Sequence, residues 1–319
     1  MNTDFPAGPA LEPLSAERDV RRLFSRAGLA VVLYFILSQA ASFAVAALMH
    51  ALIGDDFMSH GYYLAASLAG YGAGLISVCI FLRKDQISRV QRRISVPYLA
   101  AAYAVLTLFA LIGAKIGSDI SDIISYIIGQ SITDPLTASS AQMSLSETFA
   151  VMSICAPVFE ELIFRKIVLG RTRIYGDGIA ILMSSWVFGL MHANIYQFFY
   201  AFLAGIVFGY VYCKSNRLIF SVLLHFFFNT LNAVLQQFAE TYSCDIIRTI
   251  QGVGQLLLAV AGVILLGVMF GKYKKDLSAC IKNAAVHFAA GFFNTGMILA
   301  FVTSLIMYIL TIVSYMMSA

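Results

Sequence analysis

From residue 27 onward the chain is a succession of long apolar blocks, parted by short stretches that collect most of its charge. A hydrocarbon layer about 30 Å thick is crossed by roughly 20 consecutive apolar helical residues, and many runs here reach that length. Inside lipid every backbone N–H and C=O must be satisfied within the protein, so helices are the expected form and open sheets are excluded. Composition agrees: 60% of the 319 residues are hydrophobic and 12% are charged, far below the usual charged quarter of a soluble domain. The expected fold is all-α, a polytopic membrane helix bundle of eight or nine transmembrane helices around a central intramembrane polar cavity.

Candidate spans are 27–53, 61–82, 97–118, 146–170, 178–194, 196–214, 217–238, 249–271 and 286–317. The segment 119–131 reads as a short interfacial helix or as an extension of the third span. Pro135 and the polar run through Ser146 read as an exposed loop. Four regions result: a tail at 1–26, a first group of spans at 27–145, a core at 146–240 and a last group at 241–319.

Arginines and lysines fall on alternate sides. Arg21, Arg22 and Arg26 flank the first span, Arg83, Lys84, Arg89, Arg92 and Arg93 fill the second loop, and Arg171 and Arg173 follow the fourth span. Lys214 with Arg217, then Lys272, Lys274 and Lys275, continue the pattern, while Asp55, Asp56, Asp119, Asp122, Asp134, Glu240 and Asp245 mark the other side, with Arg248 as an exception. Basic loops stay inside, which predicts a multi-pass protein of the cell membrane with a cytoplasmic N-terminus. The net charge of +4 reflects these helix ends; no basic, aromatic-interleaved patch suits nucleic acid. The five cysteines, Cys79, Cys155, Cys213, Cys244 and Cys280, show no metal-type spacing and read as small packing residues. Ala66, Gly70 and Gly74 form a small-residue stripe suited to helix packing, and the aromatics read as packing and interfacial belt.

Within this apolar background, Glu160 and Glu161 stand side by side in the fourth span, with Arg165 and Lys166 the nearest compensating charges. A carboxylate at the bilayer centre costs about 2.5–3.5 kcal/mol on insertion scales. Two in succession require a buried polar cavity, and intramembrane ionisable residues are functional by default. His192 ends the fifth span, and His225 and Asn229 lie in the seventh.

Neighbouring helical residues point about 100° apart, so Glu160 and Glu161 cannot face the same group. Glu161 and Arg165 are four apart with the acid first, the favoured order for an ion pair. That pairing leaves Glu160 free to face a cavity. His225 and Asn229, also four apart, can both donate to one oxygen. A carboxylate that accepts a proton from water, a histidine beside it and preorganised donors for an oxyanion are the minimum equipment for peptide hydrolysis. No H-E-x-x-H zinc signature is present. Counting from span ends puts Glu160 and His225 at similar depth but His192 deeper, and suggests access from the cytoplasmic leaflet.

These residues resemble the CAAX protease and bacteriocin-processing (CPBP) intramembrane proteases, also called the Abi or type II CAAX prenyl endopeptidase family. Its motifs EExxxR, FxxxH and HxxxN stand here as EELIFR (160–165), FGLMH (188–192) and HFFFN (225–229), so the resemblance covers roughly 146–235. It implies that Glu160 with His192 activates water, that His225 and Asn229 form the oxyanion hole, and that Glu161 and Arg165 hold the site together. The implied substrate is a peptide or membrane protein in the lipid bilayer. The family has been described both as metalloproteases and as metal-independent glutamate proteases. Glu160, His192 and His225 could supply three zinc ligands with water as the fourth, but Asn229 suits an oxyanion donor better, so no cofactor is expected. Two alternatives stay open: an ion-coupled transporter built on the buried glutamates, and a non-catalytic scaffold or immunity member of the same family.

Overall fold

A computed structural model describes residues 13–59, 61–82, 89–132 and 140–318. The expectations for the first part of the tail, Arg83, Lys84, Asp134 and Pro135 lie outside the described residues. Nine helices order these residues. They are α1 (Pro13–Ile53), α2 (Tyr62–Phe81), α3 (Val96–Ile128), α4 (145–172), α5 (Asp177–Leu190), α6 (Ile195–Ser215), α7 (Leu218–Thr241), α8 (Asp245–Phe292) and α9 (Thr295–Ser318). Seven of them are long and apolar enough to cross a membrane, and α5 is a shorter apolar helix. The chain is a polytopic helical membrane bundle.

The segment 119–131 takes the second of its two expected forms, an extension of the third span, since α3 runs unbroken to Ile128. One boundary differs from the hydropathy reading. The final apolar block, 286–317, is divided: α8 extends over 48 residues to Phe292, and α9 starts at Thr295. Asn294 makes the break. Its buried side chain donates to the carbonyls of Ala290 (3.1 Å) and Gly291 (2.7 Å), and accepts from the backbone N–H of Met297 (3.0 Å). One amide thus caps the end of one helix and the start of the next. His50 meets Asp55 at 2.9 Å across the turn after α1.

Helix α4 is the irregular one. It opens on a capping box, with Ser144 and Glu147 each bonding the other's backbone N–H. It then alternates α and π windings: π over Phe149–Cys155, α over Ala156–Glu160, π over Glu161–Leu169. Helix α7 carries a third π segment at Thr230–Val234. Such segments concentrate at functional sites.

The turn between α4 and α5 is pinned by Arg173. Its guanidinium donates to both oxygens of Asp177 (2.8 Å each), to Asn216 Oδ1 (2.6 Å) and to the Cys213 carbonyl (3.3 Å), which ties the base of α5 to the end of α6. Burial, the largest influence, works against its charge, but the Asp177 carboxylate together with Cys213 and Tyr212 holds the guanidinium pKa above its ordinary value. From this anchor α5 runs inward, ends at Leu190, and the chain returns along α6.

α3 crosses α6 at a glycine. A Cβ on Gly113 would stand 2.5 Å from the backbone N and Cα of Tyr200, so the two helices touch through main chain. Gly113→Ala is expected to force them apart at a cost of about 1–3 kcal/mol, read as a lower melting temperature in detergent than that of wild type.

Candidate active site

The glutamate helix presents its two carboxylates in different directions. Glu161 is fully buried; its Oε2 lies 3.3 Å from Arg165 Nε and its Oε1 lies 3.2 Å from His225 Nδ1. Arg165 is equally buried, and its guanidinium sits 4.4 Å above the Phe188 ring and 5.4 Å from that of Phe208. A desolvated cation on aromatic faces gains electrostatic attraction from the ring quadrupoles. The i, i+4 spacing therefore makes the ion pair expected from sequence, and the pair also reaches α5, α6 and α7.

Glu160 turns the other way. Its Oε1 accepts from the Tyr71 hydroxyl of α2 at 3.3 Å, and its Oε2 faces His225 Nε2 at 3.8 Å. His225 is buried, stacked on Phe208 with ring centroids 4.6 Å apart, and thus stands between the two acids.

His192 is not on α5 but in the turn beyond it, which removes the depth mismatch. Counted from the Arg173–Asp177 anchor, Glu160 lies 13 residues back along α4 and His192 15 residues forward along α5, roughly 20 Å inward in both cases at 1.5 Å per residue. Three contacts hold the turn. His192 Nδ1 meets the Phe188 carbonyl at 2.9 Å, Asn194 Nδ2 donates to the His192 carbonyl at 2.9 Å, and Asn194 Oδ1 caps α6 by accepting from Gln197 N–H at 2.9 Å. Ala193 adopts a left-handed φ of 50° to make the bend, a strained conformation for a residue with a Cβ. Because Nδ1 must donate to a carbonyl, Nε2 is the acceptor nitrogen when the ring is neutral. The FxxxH spacing is thereby explained: one residue supplies the ring under Arg165 and the carbonyl that fixes His192.

Glu160 and His192 line one cavity of about 70 Å³, together with Tyr34, Ile163, Phe164, Phe188 and Met191. That is room for water among both polar and apolar walls. Among the described residues no three His, Cys, Asp or Glu side chains gather closely enough to share a metal ion.

Asn229 is tied to the main chain of α4. Its Nδ2 donates to the Met152 carbonyl at 2.8 Å. In a π winding that carbonyl would bond the N–H five residues on, and position 157 is proline, which has none. The asparagine therefore satisfies an acceptor that Pro157 leaves open. Tyr34 and Tyr71 are the residues that sequence reasoning missed. Tyrosines in apolar spans look like packing, and only their distance to Glu160 distinguishes them.

Arg165→Ala is expected to leave Glu161 buried and half-paired, costing about 3–5 kcal/mol, seen as lost yield and lower melting; paired replacement of Glu161 by Gln and Arg165 by Met should recover part of it. Asn229→Leu should cost about 1–3 kcal/mol by orphaning the Met152 carbonyl, measurable by the same melting assay.

Residues 143–231 match the family model described as type II CAAX prenyl endopeptidase Rce1-like. The chain is also similar to a curated protein of Bacillus subtilis (strain 168) named "Putative membrane peptidase YdiL", 32% identical over 90 residues. That alignment takes in 27% of this chain and 36% of the relative, so the chain spans about a third of the length of the curated protein it matches. No solved structure matches. The matched segment holds Glu160, Glu161, Arg165, His192, His225 and Asn229, so the likeness to type II CAAX prenyl endopeptidases rests on the part of the chain that carries all three motifs.

Proposed function

We propose that the protein hydrolyses a peptide bond of a membrane-associated or peptide substrate, with Glu160 as general base. The observation that carries this reading is the cavity that Glu160 shares with His192. A water held there can donate one hydrogen to the Glu160 carboxylate and the other to His192 Nε2, which leaves an oxygen lone pair for the scissile carbonyl. As the C–O bond forms, the water's proton passes to Glu160. Collapse of the tetrahedral intermediate breaks the C–N bond, and the same proton goes to the leaving amine.

His225, held through Nδ1 by Glu161, donates from Nε2 to the oxyanion when it carries both protons. The second amide hydrogen of Asn229 is the other donor in this reading. Glu161 and Arg165 position His225 and do not touch substrate. With Glu160 and Glu161 ionised and Arg165 and His225 protonated, the cluster is neutral, which suits a low-dielectric site. No step runs through a metal.

Glu160→Gln should lower peptide cleavage by about 100-fold or more with unchanged melting, followed by chromatography of peptide products; near-wild-type turnover would end the assignment. Treatment with a chelator, confirmed by elemental analysis of the protein, should leave the rate unchanged. An ion flux in liposomes that disappears in Glu160→Gln, without any peptide hydrolysis by wild type, would instead favour a carrier.

A further inference from the structure

Past Glu160 and Tyr34 lies a second, wider space. An open groove of about 340 Å³ runs between α1 and α2, lined by Tyr34, Ser42, Tyr62, Tyr63, Ser67 and Tyr71, with Glu160 at its inner end. Tyr34 and Glu160 belong to the walls of both cavities. The carboxylate therefore stands between a water-sized chamber that holds His192 and a groove several times larger.

The sequence stripe of small residues shapes this groove. Ala66 and Gly70 line it, and their missing bulk keeps α2 from filling the space. One turn further on the gap closes: a Cβ on Gly74 would already lie 3.0 Å from Tyr34 and from Ile163. The mouth lies where α2 begins at Tyr62, beside the turn that carries Asp55 and Asp56. That is the opposite end of α1 from Arg21, Arg22 and Arg26. There the Tyr63 hydroxyl donates to Gln142, tying the mouth to the start of α4.

We propose that this groove is the substrate cleft, and that an extended peptide segment without acidic side chains enters it from the Asp55–Asp56 side to bring its carbonyl to Glu160. The proposal rests on the protease reading and deepens it. From Tyr62 to Tyr71 the groove follows nine residues of helix, about 13 Å, the length of about four residues of extended chain. Its hydroxyl oxygens can accept from peptide N–H groups, the O–H groups other than those of Tyr63 and Tyr71 can donate to peptide carbonyls, and an extended segment presents both partners in alternation. Among its described lining residues the one charge is Glu160, so a carboxylate in the bound segment would meet like charge in a low dielectric. The inner chamber, at about 70 Å³, takes water and not a side chain. This route is opposite to the approach from the arginine-rich side that span counting suggests.

The test uses the full-length protein in liposomes of established orientation, with short capped peptides of Ala, Leu, Ser and Gln, each with or without one Asp. In Ser67→Cys, a membrane-impermeant maleimide is expected to add one label above the wild-type background, and only from the side opposite the N-terminus. In His192→Ala combined with Ser67→Cys, which keeps the Glu160 charge, the neutral peptide should slow labelling by about tenfold and the Asp-containing one should not. Ala66→Trp should raise KM by about tenfold with little change in kcat, whereas Ile76→Trp, at an α2 position that is 57% exposed, should change neither. Labelling only from the N-terminal side, no protection by the neutral peptide, or equal protection by both peptides overturns the cleft. If wild type cleaves nothing yet the neutral peptide protects the thiol, the groove stands as a peptide site and the catalytic reading falls. If peptides are cleaved while the thiol stays unprotected, the reverse holds.

Discussion

The buried contact of Glu161 with Arg165 and His225 is what the candidate site is assembled around. Taking such charges out of water costs several kcal/mol per ion, and their attraction repays it only in good geometry. The contact is therefore better understood as a positioning device than as a source of stability. It fixes α4 to α7 through the imidazole, and to α5 and α6 through the rings of Phe188 and Phe208 beneath the guanidinium. With Glu161 committed inward, the next residue back along the helix has to point elsewhere, and Glu160 faces the cavity it shares with His192. Adjacent carboxylates thus take separate duties because a helix separates them by about 100°.

Much of this was legible in the sequence, for one physical reason. Ionisable side chains are costly in lipid, so Glu160, Glu161, Arg165, His192 and His225 stand out from their surroundings without any structure. The i, i+4 spacings then gave the Glu161–Arg165 pair directly. Spacing was less informative for Asn229. Its shared face with His225 suggested a shared ligand, whereas its amide is engaged by the Met152 carbonyl because Pro157 lies five residues further on.

Other features carried no hydropathy signal. The block 286–317 is uniformly apolar, and the side-chain amide of Asn294 is what divides it. His192 looked too deep as long as α5 was read as a full span; a 14-residue helix ending at Leu190 puts it in a turn level with Glu160. Tyr34, Tyr71, Ala66 and Gly70 lie outside the motif-bearing region and resemble ordinary packing residues. Their importance is spatial: α1 supplies one wall of the chamber and, with α2, the walls of the groove, which no motif in the core predicts.

The alternating windings of α4 have one more consequence. Each residue of an α-helix turns the chain by about 100°, so losing or gaining one between Met152 and Arg165 would turn one contact of the cluster out of register with the others. A deletion between Met152 and Glu161 would part the acid from His225 or the Met152 carbonyl from Asn229, and one between Glu161 and Arg165 would part the acid from the guanidinium. Side chains along α4 can be exchanged by degrees, but its residue count is quantised: the helix can drift in composition over generations, and it has no gradual route to a different length.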